Sequence, residues 1–327
     1  MQIMQNKKII GVASPLFDHD GYRGKLNRIA EKHGFEMISL NINSGKIENI
    51  NECEIIFGMV PPAILREAPR LKWLACSFAG VEQYMKDGIF ASDDVIVTNS
   101  SGAYGVSISE MMIAGILMLF RELDGHVLNQ QKRIWGKPAP VRSIYGSKIT
   151  VIGMGDIGSC FAERAAALGA EVTGVRRRDM PKPEYFARQF TFDKLEEALP
   201  GKDVVALCVP RTDETVRIIN AKTIALMNPR AVIINVGRGS AIDQDSLVSA
   251  LNDGRIGGAF LDVTDPEPLP PSHPLWTAKN CIITPHVSGN MTLELTRERI
   301  VGIFLENLEL YAGGMPLLHT VNKKSGY

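Results

Sequence analysis

From the first residues onward, short apolar runs alternate with segments whose apolar positions recur every three to four residues, the mark of strands alternating with helices. Early in the chain the runs are IIGVAS, FEMISL, EIIFG, LKWLACS and VIVTN at 95–99, with one helix ending near His33 and a second over PPAILREAP. A later series comprises KITVI from Lys148, EVTGV, DVVALCVP at 203–210, AVIINVGRGS at 231–240, GGAFLDV at 257–263 and CIITP at 281–285. Helix-like stretches such as LEEALP and DSLVSALNDG separate them. Alternation of this kind predicts parallel sheets with helices on both faces, so the expected class is α/β, with doubly wound sheets.

Two long helical patterns divide the chain. One runs from Gly102 through VSISEMMIAGILMLFRELDGHVLNQQKRIW and is apolar nearly all round its middle, so it is buried on several sides. It leaves the first domain and leads into the strand at 148; the excess apolar surface, ending in Trp135, reads as a subunit contact or as an ordinary core helix. The other, roughly Leu293 to Ala312, carries Ile300, Phe304, Leu308 and Tyr311 on one stripe and Gly313 as its stop. It is expected to return to the first domain, giving residues 1–101 plus 292–327 as one domain and 102–291 as the other. No repeat or Ser/Gly linker appears, and DPEPLPPSHP reads as a rigid loop beside a site.

Between the strand at 148 and the next helix lies GMGDIG, with Gly153, Gly155 and Gly158 at the G-x-G-x-x-G spacing. The first glycine permits the tight turn, the second admits a pyrophosphate to the backbone, and the third lets helix and strand pack closely. Met154, Asp156 and Ile157 complete the turn, and the free N–H groups of the helix start face the phosphates. A glycine turn made only for packing gives the same letters, but strands on both sides favour a dinucleotide. At the end of an earlier strand, SFAGVE offers the N–H groups of Ala79 and Gly80 to an anion, or is simply a strand-to-helix turn.

Composition narrows the classes. With 327 residues, 45% hydrophobic, 22% charged and no net charge, the chain is an ordinary globular protein of about two domains. It has no basic footprint for nucleic acid or an anionic membrane beyond Arg176–Arg178. Its longest apolar run, Met111 to Phe120, is about half a bilayer span, and MQIMQNKKII leads into a strand instead of a signal-peptide core, so a cytoplasmic location is expected. Cys53, Cys76, Cys160, Cys208 and Cys281 are scattered and odd in number, which fits reduced core thiols and neither a disulfide framework nor a metal site.

Polar residues collect where the later strands end. Arg238 follows the run at 232–236, Asp262 ends the run at 258–263 and leads to Glu267, and His286 follows the run at 281–284. Ligands of open α/β sheets bind at those ends. Hydride transfer to a keto acid leaves an alkoxide that needs a proton, and histidine supplies one near neutral pH, so His286 is the candidate acid. Glu267 would fix the ring tautomer, and Arg238 presents a fork matched to a carboxylate. Singly, these are a histidine after a proline, a solvated glutamate and a surface arginine; together beside a dinucleotide turn they suit catalysis.

On SFAGVE, TNSSGAYGVSISE, GMGDIG, VPRTDET, NVGRGSAID, LDVTDPEPL and TPHVSG, which span nearly its whole length, the chain resembles the D-isomer-specific 2-hydroxyacid dehydrogenase family, nearest its glyoxylate/hydroxypyruvate reductase type. The resemblance implies a Rossmann cofactor domain inserted in a flavodoxin-like substrate domain, and a catalytic trio of Arg238, Glu267 and His286. It also implies substrate carboxylate binding by Ala79 and Gly80, with Tyr104 on a side wall where relatives differ, and Asp262 near the nicotinamide carboxamide. Further cofactor contacts would be Val209, Pro210, Thr215, Val236, Gly237, Arg238, His286, Ser288 and Gly289. A homodimer built on the 103–145 arm is implied as well. The regulatory domain of phosphoglycerate-dehydrogenase-type relatives is not expected after the return helix.

One departure concerns the coenzyme. Where NAD-using members place an acid on the ribose hydroxyls, this chain has Arg176, followed by Arg177 and Arg178. Arginine there points to a 2′-phosphate and NADP(H), with Arg178 adding only field. The leading expectation is an NADPH-dependent reductase of a small 2-keto acid. A nucleotide-sensing regulator on the same fold is the alternative, and a formate-oxidising member would carry an extra N-terminal segment and an asparagine-rich site.

Overall fold

The computed structural model describes residues 7–42, 47–136 and 140–323, and the chain divides into two compact units, one of residues 1–103 with 291–327 and one of residues 104–290. The ends of the expected first domain, 1–6 and 324–327, and positions 137–139 of the expected arm lie outside the described residues.

In the first unit β1 (Lys8–Ala13), α1 (Asp20–Lys32), β2 (Phe35–Ser39), β3 (Ile55–Gly58), β4 (Trp73–Ala75) and β5 (Ile96–Thr98) build a five-stranded parallel sheet in the order β2-β1-β3-β4-β5. This is a doubly wound order with its reversal between β1 and β3. The central strands β3 and β4 are continuous apolar runs, buried on both faces, whereas the edge strand β2 is mixed and part-exposed. PPAILREAP forms a short 3-10 helix, Pro62–Glu67, instead of an α-helix, since Pro69 disfavours the helical conformation at Ala68 and stops the segment within two turns.

The second unit begins with α2 (Gly105–Arg121) and α3 (Leu123–Gln131). The single long helix expected here is broken at Glu122, whose φ of 52° is left-handed. Ile108, Met112, Ile116 and Phe120 of α2 are buried, whereas α3 buries no residue, so beyond Arg121 no core holds the helix to its course. Gly115 lets α2 press on the sheet; a Cβ there would lie 2.6 Å from Phe260 Cγ.

Then come β6 (Lys148–Ile152), α4 (Asp156–Ala167), β7 (Glu171–Arg176), β8 (Arg188–Thr191), α5 (Leu195–Ala198), β9 (Val204–Leu207), α6 (Ala221–Ala225), β10 (Val232–Asn235), α7 (Gln244–Asn252), β11 (Gly258–Leu261) and β12 (Cys281–Ile283). All seven strands are parallel, in the order β12-β11-β10-β9-β6-β7-β8. The reversal falls between β6 and β9, which puts the crevice at the glycine turn after β6. Strand β8 gives little signal in the sequence, because RQFT is short, polar and on the sheet edge.

The chain returns to the first unit with α8 (Glu294–Ala312). Its Ile300, Phe304 and Leu308 are buried, and the Phe304 ring lies 4.4 Å from Phe57 and 5.5 Å from Trp73. Tyr311 stacks on Trp73, and its hydroxyl donates to Glu54 at 2.9 Å. Burial of such a ring stabilises by about 1.5–3 kcal/mol. Among the described residues no helix is long and apolar enough to cross a membrane.

Candidate active site

The turn after β6 is shaped by what its glycines leave out. Gly153 has a φ of 100°, and a Cβ there would stand 2.5 Å from the Cys208 carbonyl; at Gly158 a Cβ would meet the Gly153 carbonyl at 1.9 Å. At Gly155, by contrast, a Cβ would meet nothing within 4 Å, so this position opens outward. An open backbone shelf at the N-terminus of the twelve-residue α4 fits the pyrophosphate of a dinucleotide. Met154 folds back over β7, where Gly174 leaves room for its sulfur. Asp156 is half-buried against the start of α2: a Cβ on Gly105 would come within 2.9 Å of its Oδ1. Ile157, beside it, is half-buried in the first turn of α4.

Strand β7 ends at Arg176, which is half-buried, while Arg177 and Arg178 stand exposed in the loop beyond. No acid occupies this strand end. Past β9, Val209 is buried and Pro210 half-buried. Thr215 turns inward: its hydroxyl donates to the Pro210 carbonyl at 2.6 Å and accepts from Thr212 N at 2.8 Å, so it shapes the 210–215 turn from within.

At the end of β10, Asn235, the first residue of NVGRGSAID, does the bracing. Fully buried, it accepts from Gly237 N at 3.1 Å and donates to the Arg238 carbonyl at 2.9 Å. Val236 and Gly237 are buried, and Arg238 Nη1 donates to the Gly237 carbonyl at 2.7 Å. The next residue, Gly239, has no room for a side chain, since a Cβ would lie 2.0 Å from the Thr264 carbonyl carbon. Thr264 N in turn donates to Glu267 Oε1 at 3.0 Å. The segments bearing Arg238 and Glu267 are thereby packed backbone to backbone.

Glu267 Oε2 lies 2.8 Å from His286 Nδ1, with the two side chains 37% and 52% exposed. Nδ1 carries the proton when it donates to a carboxylate, which leaves Nε2 as the outward ring atom. His286 has a φ of 54°, and its N–H donates to the Asp262 carbonyl at 2.8 Å and the Thr284 carbonyl at 3.0 Å. A non-glycine residue in this region is strained and persists where its surroundings over-determine it. Asp262 supplies the constraint. Only 1% exposed, its Oδ1 accepts from Thr284 Oγ1 at 2.6 Å and Val287 N at 2.9 Å, and its Oδ2 from Ser288 N at 3.0 Å and the Ser288 hydroxyl. These bonds use the acceptor sites of both oxygens.

The start of α2 backs the same turn. Ser107 Oγ donates to the Ser288 carbonyl at 2.7 Å, and a Cβ on Gly289 would touch Ile108 at 3.2 Å and Tyr104 at 3.4 Å. Tyr104 is buried, and burial pushes its phenol well above the usual range. Ala79 and Gly80 belong to the first unit, half-buried in the turn after β4, where Asn99 Nδ2 donates to the Ala79 carbonyl at 2.8 Å. The structure thus brings Glu267 and His286 into contact and sets Arg238 on the neighbouring strand end. Asn235, Thr264, Thr284 and Ser107, which hold these groups, lie inside the motifs NVGRGSAID, LDVTDPEPL, TPHVSG and TNSSGAYGVSISE, but none of them was assigned a role from the sequence.

Residues 113–288 match the model of the D-isomer specific 2-hydroxyacid dehydrogenase NAD binding domain, and the chain belongs to this family of oxidoreductases. It is 33% identical over 304 residues, 90% of this chain and 98% of the relative, to a Corynebacterium melassecola protein known as an uncharacterized protein in the proB 3′ region. It is 30% identical over 298 residues, 85% of each chain, to the glyoxylate reductase of Korarchaeum cryptofilum. Among solved structures, a D-isomer specific 2-hydroxyacid dehydrogenase from Xanthobacter autotrophicus Py2 in complex with NADPH and MES superposes with a TM-score of 0.80 at 27% identity, covering 98% of this chain and 100% of that one.

Proposed function

We propose that this protein reduces a small 2-keto acid of the glyoxylate/hydroxypyruvate class to the D-2-hydroxy acid with NADPH, His286 giving the proton. The observation that carries the reading is the 2.8 Å pairing of His286 Nδ1 with Glu267 Oε2, held in a strained turn beside a dinucleotide shelf. Bound NADPH supplies a hydride to the carbonyl carbon, so keto acid, NADPH and one proton become hydroxy acid and NADP⁺.

The chain's own groups do the rest. Arg238 pairs with the substrate carboxylate through its planar fork and polarises the neighbouring carbonyl. His286 Nε2–H donates to the carbonyl oxygen and passes its proton as the oxygen gains charge, leaving a neutral imidazole that keeps its Nδ1 proton. Glu267 accepts from Nδ1, fixing the ring in orientation and tautomer, and Thr264 N fixes Glu267 in turn. Asp262 and Asn235 hold the two catalytic backbones.

Arg176 and Arg177 are the groups proposed to take the ribose 2′-phosphate, a reading supported by the NADPH bound to the Xanthobacter relative. A homodimer through the 103–145 arm is supported by its exposed apolar side chains: Leu123, Val127, Leu128, Val141, Tyr145 and a Trp135 with no cover at all. The five cysteines are all free, in keeping with a reducing cytoplasm. Mixing the purified protein with NADPH and glyoxylate or hydroxypyruvate, and following loss of NADPH absorbance, tests the activity. Failure to oxidise NADPH with any small 2-keto acid, with the coenzyme bound, sinks it.

A further inference from the structure

The loop after β7 is tied to the edge strand β8 by Gln189. This residue lies opposite Gly174 of β7, and its Nε2 donates to Asp179 Oδ1 at 2.8 Å and to the Met180 carbonyl at 2.9 Å. Two acceptors on one amide nitrogen fix the amide's orientation, because the flipped group would set oxygen against oxygen. Its own Oε1 is buried with no hydrogen-bond partner. A buried acceptor left unpaired is costly, so an apolar residue would suit a plain edge strand better. Both bonds that Gln189 donates through Nε2 go to the loop.

Met180 extends the linkage, since Arg176 Nη2 donates to its sulfur at 3.4 Å. A chain of contacts therefore runs from β8 through residues 179 and 180 to the first arginine. Asp179 is the acid next to the arginine run. Left free, its carboxylate would pair with a guanidinium or repel an incoming phosphate. The Gln189 amide engages one of its oxygens from the β8 side.

We propose that Gln189 is a positioning residue for coenzyme choice: by holding Asp179 and Met180 to β8 it keeps the arginine loop in the shape that receives a ribose 2′-phosphate. This role rests on the NADPH reading above and adds a residue outside the arginines to it.

Calorimetric titration of the purified protein with adenosine 2′,5′-bisphosphate and with 5′-AMP separates the two claims. Wild type is expected to bind the bisphosphate about tenfold more tightly or better, charge-assisted bonds being the strong ones; equal affinities would overturn the NADPH reading and this role with it. Given that preference, Gln189→Leu is expected to reduce it about fivefold while 5′-AMP affinity stays within about a factor of two. Adding Asp179→Asn to Gln189→Leu is expected to recover at least about a twofold part of the loss, because the freed acid is then neutral. A folded Gln189→Leu protein that keeps its preference, or that weakens for both ligands alike, overturns the positioning role. Should that variant fail to fold by circular dichroism, Gln189→Thr, β-branched and suited to a strand, is tested with the same outcomes.

Discussion

Asp262 holds Ser288 twice, at the backbone N–H at 3.0 Å and at the hydroxyl, across from the end of β11 to the turn beyond β12. Between these points stands His286 at a φ of 54°. The carboxylate thus acts on His286 through the backbone, and its four bonds to the protein account for its complete burial. Asp262→Asn keeps the size but turns an NH₂ toward donors. Hydrogen bonds to a charged group are worth about 1.5–3 kcal/mol each. Urea unfolding should show the variant roughly 3 kcal/mol less stable at neutral pH, with turnover lowered as the turn relaxes. A variant as stable as wild type would mean that these bonds do not hold the turn.

His286→Asn removes the proposed proton donor and leaves the backbone turn able to form, since asparagine tolerates left-handed φ. Removing a positioned general acid should lower turnover by about two to four powers of ten. Coenzyme affinity, read by fluorescence titration, should remain near wild type. Retention of more than about a tenth of wild-type turnover would show that the proton comes from elsewhere.

The alternation of strands and helices, the glycine turn and the strand-end placement of Arg238, Asp262 and His286 were legible because each rests on local spacing: short apolar runs, a fixed glycine interval, a polar residue directly after an apolar run. What braces those residues was not legible. Asn235 and Thr264 act through bonds to groups two or three residues on, Gly237, Arg238 and Glu267, whose geometry the letters do not give, and the close fit of Gly239 on Thr264 becomes visible only when β10 and β11 lie side by side. Asp262 presents the same limit in another form, since a single letter does not tell whether its carboxylate faces a ligand or four protein donors. The break at Glu122 and the strand β8 were missed for a different reason. Propensity favours a continuous helix, but no core lies beyond Arg121, and RQFT becomes a strand by pairing with β7.

The thiols give a pH-dependent test of the core. Burial pushes Cys53 and Cys281 up to about 12 from an ordinary value of 9.0, and drives Cys76 and Cys208 higher still. Because the fold favours the neutral thiol, this stability is fully present below the unfolded value and is lost as pH rises through the folded one. At pH near 8 a thiol of pKa about 12 is only ~10⁻⁴ thiolate, the reactive form. A disulfide reagent at that pH should leave the buried Cys53 and Cys76 unmodified in the native protein and label them at once in guanidinium, with the half-buried Cys208 and Cys281 reacting slowly in between. Rapid labelling of Cys53 or Cys76 in the folded state would place that thiol outside the core.

Coenzyme choice makes the sharpest claim on the sequence. A ribose 2′-phosphate carries close to two negative charges, and Arg176 and Arg177 leave the end of β7 with no acid to hold ribose hydroxyls there. Two charge-assisted bonds favour NADPH by roughly 3 kcal/mol, about a hundredfold, before the cost of ordering two long side chains. Arg176→Asp reverses both contributions, since the new carboxylate repels the phosphate and accepts from the hydroxyls of NADH. The ratio of kcat/KM with NADPH to that with NADH should fall by about a hundredfold or more in the variant, while kcat with a saturating keto acid changes little, because β7 lies three strands from β10, which ends before Arg238, and further still from β12, which ends before His286. A wild-type enzyme that prefers NADH would show that the arginines form only a solvated loop. A variant that keeps the wild-type ratio would move the phosphate contact to Arg177 or beyond.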